Sequence, residues 1–295
     1  MKILVFGAKG MVGSRVAELL GNDFDFVCPS ERDVDISDPE SLKKFLSKER
    51  PQVVINFAAI TDVDYCETER ENKNGLVWKV NAEAPRQISI LSCEQEFFFV
   101  QISTDMVFPG TKQNPGPYSE AHKIGDYSEL TWYGASKAEG EVEVLAENRK
   151  NAIVRIIYPV RHEFPKKLDY ARKILKLFDE GKMYPMFDDQ IVSITYIDEL
   201  ADAIRTIASQ KLSGVFHVSS VNTTTPYEFA TYLLKKTRST KNLVKKASFE
   251  KFIKGKDARR YPQFGGLNAE ATQKRLGIKF STWQEIVDKL TVNIS

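Results

Sequence analysis

The chain opens with an apolar run, "KILVF" (2–6), a glycine-spaced turn, "GAKGMVG" (7–13), and an amphipathic stretch, "MVGSRVAELL" (11–20). No other feature constrains the fold as strongly. A short continuous apolar run bounded by a turn reads as a strand buried on both faces, and the stretch after it has helical spacing. Gly7 permits a tight turn with positive φ. Gly10 lets the backbone approach a bound group, and Gly13 lets the helix pack closely on the strand. The helix start offers N–H groups and the positive end of a dipole, which suits a pyrophosphate. Alone, such a loop could be a tight turn without a ligand, so its meaning depends on the elements downstream.

Those elements repeat the rhythm. "DFDFVC" is a second strand, and "DPESLKKFLSKE" a helix with Asp38 as cap, Pro39 at its first position and Glu40 in its first turn. "QVVINFAA" is a third strand, residues 75–94 a long helix, "FFFVQIS" a fourth strand, and "NAIVRII" a fifth after a helix around Tyr133. Strand–helix alternation with apolar strands predicts an α/β fold, a Rossmann-type doubly wound parallel sheet, with a smaller C-terminal domain. The rhythm breaks after Tyr158. "RHEFPKKLDYARKILKLF" and "ITYIDELADAIRTIA" read as helices, "GVFHVSS" as a late strand, and "TWQEIVDKLTV" as a closing helix. The expected division is residues 1–158 plus about 188–220 as a dinucleotide-binding domain, and about 159–187 plus 221–295 as a substrate-binding domain.

With 295 residues, the chain can bury a large core, and a net charge of +2 gives no global case for nucleic acid or membrane. The three cysteines, Cys28, Cys66 and Cys93, are odd in number and widely spaced, which reads as free thiols in a reducing compartment. No leader is visible, and no apolar run approaches the ~20 residues of a membrane span, so a cytoplasmic location is expected. His122, His162 and His217 lack metal-ligand spacing, so no metal is expected.

The second strand should end in a residue that reads the adenosine ribose. Pro29 and Ser30 stand there, followed by Glu31 and Arg32. The absence of a clear acidic reader points toward NADP(H) through Ser30 and Arg32. A plain-loop reading of both residues stays open, as does NAD(H).

Two of the eleven tyrosines have Lys four positions on, Tyr133/Lys137 and Tyr232/Lys236. Spacing cannot separate them, because i and i+4 share a helix face whatever they do. Tyr232 sits among Phe229, Leu233 and Leu234, which reads as packing. Tyr133 follows a strand ending in "QISTDMVF", and Gly134 and Ala135 keep its helix start slim.

The ordered set "GAKGMVG", "NFAAITDVDYCE", "VNAEAP", "STDMVFPG", "YGASK" and "DDQIVSITYIDELAD" resembles the extended short-chain dehydrogenase/reductases, and within them the dTDP-4-dehydrorhamnose reductase group. "TTTPYEFA" and the closing "LNAEATQKRLGI" also fit. The match is specific over 1–157 and looser beyond. The resemblance implies that Thr104 hydrogen-bonds a substrate carbonyl, that Tyr133 gives or takes the proton, and that Lys137 binds the nicotinamide ribose and favours the tyrosinate. It implies cofactor contacts from Gly7, Gly10, Met11, Val12, Gly13, Ser30, Arg32, Asp35, Ile36, Phe57, Ala58, Ala59 and Thr61, besides Tyr133 and Lys137. Substrate contacts are expected from Thr104, Asp105, Val107 and Phe108. A free phenol titrates near ~10, and a positive charge about 5 Å away at an effective dielectric of ~20 contributes about 3 kcal/mol, or ~2 pKa units.

Related dehydratases carry Asp–Glu after that Thr. Met106 here supplies no second acid, so reduction of a keto group on a nucleotide-linked deoxysugar is expected rather than dehydration. Tyr65 stands where the group often has Lys, "RIIYPVR" replaces R-T-S-W-V-Y-G, and no Pro precedes Thr195; these departures leave the sugar open. Two other readings stay open: a cofactor-binding regulatory subunit like the β-subunit of methionine adenosyltransferase, and a sugar-nucleotide epimerase. A monomer or homodimer is expected. Residues 235–260 hold eleven Lys/Arg. This is a solvated surface or a positive lip for a substrate diphosphate, with Arg259 and Arg260 as candidates. Asn81 matches a family position that bonds backbone near the active site. Asp64 and Glu67 either orient the cofactor loop or cap locally.

Overall fold

The computed structural model describes residues 1–291 apart from 163 and 240–243. Two compact units divide it: residues 1–108, 123–155 and 200–216, and residues 109–122, 156–199 and 217–295. Four stretches group differently from the sequence expectation, 109–122, 156–158, 188–199 and 217–220. Residues 188–199 join the second unit, where Val192 bridges Thr224 and Ile191 bridges Phe264; so do 109–122, where Tyr118 bridges Leu267.

The first unit is built on a six-stranded sheet. Its strands are β1 (Lys2–Phe6), β2 (Asp25–Val27), β3 (Val53–Asn56), β4 (Phe98–Thr104), β5 (Ala152–Ile156) and β9 (Gly214–Val218), in the order β2-β1-β3-β4-β5-β9. β1 pairs in parallel with both β2 and β3, and β3 with β4. The helices are α1 (Met11–Leu20), α2 (Pro39–Glu49), α3 (Val63–Thr68), α4 (Leu76–Trp78), α5 (Ala84–Glu94), α6 (Trp132–Glu147) and α8 (Ile197–Gln210). β1, β3 and β4 are buried almost throughout, as double-sided coverage requires. Leu4, Phe6, Leu42, Leu46, Val54, Ile88, Phe99, Val144 and Ile153 form one core cluster. The expected helix over 75–94 is present, but a π turn (Lys79–Glu83) separates α4 from α5.

The second unit holds two small parallel pairs, β6 (Pro159–Val160) with β8 (Thr195–Tyr196), and β7 (Met186–Phe187) with β10 (Lys246–Ala247). Its helices are α7 (Tyr170–Asp179), α9 (Pro226–Arg238), α10 (Phe249–Phe252), α11 (Glu270–Leu276) and α12 (Trp283–Thr291). α7 starts nine residues later than the run from Arg161 suggests. Asp169 caps it by accepting from the Arg172 N–H, and Pro165 interrupts the chain upstream. α7, α9 and α12 bury Ile174, Phe229, Leu233, Trp283 and Ile286 together.

Candidate active site

The sheet order reverses between β1 and β3, and ligands of such sheets bind at the carboxyl ends beside that reversal. Gly7 follows β1 with φ +74°, and a Cβ there would lie 2.6 Å from the Ala58 nitrogen. A Cβ at Gly13 would lie 2.5 Å from the Gly7 carbonyl oxygen. The loop is therefore folded onto itself and onto Phe57 and Ala58. Gly10 precedes Met11 and Val12 and brings no side chain to cap α1. A helix start left to backbone donors suits a pyrophosphate, so these residues fit a dinucleotide.

Beyond β2, the Ser30 hydroxyl and N–H donate to Asp33 Oδ2 at 2.7 and 2.8 Å, which holds the Asp33 carboxyl below its usual range. Ser30 is thus engaged with an acidic side chain that the sequence reading passed over, while Arg32 is exposed. Asp35 accepts from the Ser37 N–H and hydroxyl, and Ile36 packs partly against the core.

β4 delivers Thr104 at its last residue, and α6 carries Tyr133 in its first turn. Both α6 glycines serve close approach: Cβ atoms on Gly134 and Gly140 would lie 2.2 Å from the Met106 carbonyl oxygen and 2.4 Å from that of Asn81. The Tyr133 phenol lies near enough to Thr104 for that hydroxyl to favour its charged form. The Thr104 hydroxyl donates to Asp105 Oδ1 at 3.2 Å and accepts from the Met106 N–H at 3.2 Å. Three groups able to handle a proton, Tyr133, Thr104 and Asp105, are thus near neighbours.

Lys137, one turn on, is buried and donates to the Ile102 carbonyl at 2.7 Å. That carbonyl also accepts from Gln101 Nε2 at 2.7 Å. Gln101 Oε1 accepts from Asn56 Nδ2 at 2.9 Å, and Asn56 Oδ1 accepts from the Ala58 N–H at 3.0 Å. A buried polar chain therefore links Lys137 to the segment beside the glycine loop. Its middle members, Asn56 and Gln101, were missed; each is a polar residue in an otherwise apolar strand, which was the available signal.

Burial pushes the Tyr133 phenol above its ordinary value, the Thr104 hydroxyl opposes this, and Asp105 and Cys66 add to it. The net direction is upward, opposite to the pull expected of Lys137, because burial outweighs the other influences. Burial lowers Lys137 to about 8, partly opposed by Glu141, one turn further along α6. Glu141 in turn holds Arg155 of β5 at 2.6 Å, and both side chains are 4% exposed. Asp105 rises to about 7 through burial, against hydrogen bonds from Thr104 and the Met106 N–H.

Asn81, in the π turn, accepts from the Ile60 N–H at 2.9 Å and donates to the Ile60 carbonyl at 2.9 Å and to Ser136 Oγ at 3.1 Å. Ser136 bonds the Tyr133 carbonyl at 2.9 Å. Val107 and Phe108, expected to face substrate, are 0% and 2% exposed, with the Arg155 guanidinium over the Phe108 ring. Their side chains pack in the core.

In the second unit, Arg259 pairs with Asp257 at 2.7 Å, and Arg260 follows in the same turn. Part of the basic segment, 240–243, lies outside the described residues. The control pair is structural: Tyr232 and Lys236 both bond Asp288, and Tyr232 packs edge-on against Trp283. Among the described residues no group of His, Cys, Asp and Glu could hold a metal ion.

Known proteins resemble this chain along its length. The dTDP-4-dehydrorhamnose reductase of Streptomyces griseus is 31% identical over 75% of this chain and 71% of its own. That of Escherichia coli K12 is 28% identical over 98% and 97%. The crystal structure of dTDP-4-dehydrorhamnose reductase from Bacillus anthracis in complex with NADP superposes with a TM-score of 0.85 at 26% identity, covering 100% of this chain and 99% of that one. The family model described as the RmlD substrate binding domain matches residues 1–294, and the chain belongs to that family.

Proposed function

We propose that this chain is an NADPH- or NADH-dependent reductase of the keto group of a nucleotide-linked deoxysugar, acting as its dTDP-4-dehydrorhamnose reductase relatives do in dTDP-rhamnose biosynthesis. The observation that carries this is the placing of two hydroxyls together, Thr104 at the carboxyl end of β4 and Tyr133 in the first turn of α6 beside it. When bound, the nicotinamide supplies the hydride. Gly7, Gly10, Met11, Val12 and Gly13 would hold the pyrophosphate, and Ser30 to Ile36 and Phe57 to Thr61 would flank the adenosine half. Thr104 would donate to the substrate carbonyl and fix its orientation. Tyr133, kept protonated by burial, would give its proton to the carbonyl oxygen as the carbonyl carbon is reduced. Lys137 would bind the nicotinamide ribose. Asp105 would bear on the substrate through Thr104, and Arg259 and Arg260 would meet the diphosphate.

No described helix is long and apolar enough to cross a membrane. We place the protein's work in the cytoplasm, as a monomer or homodimer. The test is loss of nicotinamide absorbance with NADH and NADPH separately, against a panel of 4-keto sugar nucleotides. Tyr133→Phe should lower turnover about 10²–10⁴-fold, the range for a lost general acid, with cofactor binding intact. Equal loss of turnover and cofactor binding would assign Tyr133 a structural role. Tight cofactor binding without oxidation on any substrate would favour a regulatory subunit.

A further inference from the structure

Tyr133 is the second residue of α6, in the turn where a helix lacks internal partners for its N–H groups and frays. Two acceptors hold this turn. The Thr131 hydroxyl accepts from the Gly134 N–H at 3.0 Å, a local N-cap. The other comes from α3: Glu67 Oε1 accepts from the Trp132 N–H at 2.7 Å, across 65 residues of sequence.

Glu67 is itself held. Arg70 Nε donates to Glu67 Oε2 at 2.7 Å and Nη2 to Oε1 at 3.1 Å, while Nη2 also donates to the Leu130 carbonyl at 2.9 Å. The pair therefore grips the chain on both sides of Thr131. The side chains are only 14% and 20% exposed, so solvent screens the pair far less than a surface ion pair. The neighbouring Cys66 is close enough to act on the phenol. Trp132 stacks on Trp78 at 4.8 Å, which fixes the far side of the same residue.

We propose that Glu67, oriented by Arg70, is a positioning residue for Tyr133: it fixes the first turn of α6 so that the phenol stays on Thr104. The proposal rests on the reading of Tyr133 as proton donor. A misplacement of about 1 Å can cost 10²-fold in rate, so a cap at this point bears on chemistry as well as stability. Glu69 provides an internal comparison. Its carboxylate caps the start of α4 through the Val77 N–H at 2.9 Å, but that turn carries no reacting group.

The test uses the full chain. Turnover is followed by NADPH oxidation with a 4-keto deoxysugar nucleotide, cofactor affinity by NADPH fluorescence, and mobility by amide exchange of residues 132–134 in the cofactor-free protein. Glu67→Ala should lower kcat about 10–100-fold, leave KM and NADPH affinity within about threefold, and speed exchange of those amides. Glu67→Gln keeps the acceptor oxygen and should recover most of the rate. Glu69→Ala should lower thermal stability comparably yet keep kcat within about twofold. The proposal is overturned if Glu67→Ala keeps kcat within about twofold, if Glu67→Gln does no better than Glu67→Ala, or if Glu69→Ala slows turnover equally. If Tyr133→Phe keeps full turnover, the reading of Tyr133 fails, and this proposal with it. If Tyr133→Phe is inactive and Glu67→Ala is not, only the positioning role falls.

Discussion

Lys137→Met should produce a slower enzyme that is no less stable than the parent at neutral pH. Lys137 is 4% exposed, and burial lowers its pKa from 10.5 to about 8. A gap of that size corresponds to about 3 kcal/mol of cost for holding the charge in the fold. The cost is present in full below pH 8, where folded and unfolded chains both carry the proton. It is relieved as pH rises from about 8 toward 10.5, where the unfolded chain alone still binds it. Methionine removes the charge and keeps the length. It also forfeits the charged hydrogen bond to the Ile102 carbonyl, a loss of about 1.5–3 kcal/mol, although Gln101 still serves that oxygen. The net at pH 7 should lie between about zero and 1.5 kcal/mol in favour of the variant. Urea denaturation of both proteins at pH 7, 8, 9 and 10, followed by tryptophan fluorescence, reads the difference. The parent should gain on the variant by about 1.4 kcal/mol per pH unit between 8 and 10. Turnover of the variant should fall if Lys137 holds the nicotinamide ribose, as proposed above. A stability gap that is flat from pH 7 to 10 would refute the reasoning, because it would mean that Lys137 titrates alike in folded and unfolded chains.

Asp105 has the opposite sign. Its carboxyl rises from 3.8 to about 7, so the cost of its charge is full above pH 7 and is relieved as pH falls toward 3.8. Asp105→Asn should therefore melt higher than the parent at pH 8, with the advantage fading toward pH 4 in a melting series. Arg155→Met leaves Glu141 buried without its partner and should cost about 3–5 kcal/mol in urea titration, most of it regained when Glu141→Leu is added. Gly13→Ala puts a methyl 2.5 Å from the Gly7 carbonyl oxygen, and should weaken NADPH binding by at least about tenfold in a fluorescence titration. Unchanged affinity would mean that the glycine loop does not cradle the cofactor.

The residues that could be read in advance are those whose meaning is local. β1, the glycine loop and α1 need only their own spacing and backbone sterics, so the doubly wound sheet was legible from the first twenty residues and their repetition. The places of Thr104 and Tyr133 were legible because one closes a strand and the other stands near the opening of a helix. What was hidden depends on acceptors without side-chain identity. Lys137 bonds a backbone carbonyl, which no residue type announces. Val107 and Phe108 belong to a recognised motif, but a motif gives presence and not facing, and both side chains turn into the core. The Glu67–Trp132 bond spans loops whose closure the sequence does not encode by spacing. α7 was placed too early because its amphipathic pattern extends upstream of the Asp169 cap.

The π turn at Lys79–Glu83 makes a residue count, rather than a residue identity, the thing this site depends on. Widening one turn rotates the downstream helix by about 100° relative to an unbroken α-helix. Before it, Trp78 lies on Trp132; within it, Asn81 reaches Ser136; after it, Ile88 and Leu91 enter the sheet core. The π turn sets the phase between the first two contacts and the third, which joins Ile88 to the cluster that Val144 of α6 shares. Deleting one residue from 79–83 would restore the regular helix and swing one of these groups out of place. Tolerance at this segment should therefore be asymmetric: substitutions at exposed Lys79 pass, and a shortened chain does not.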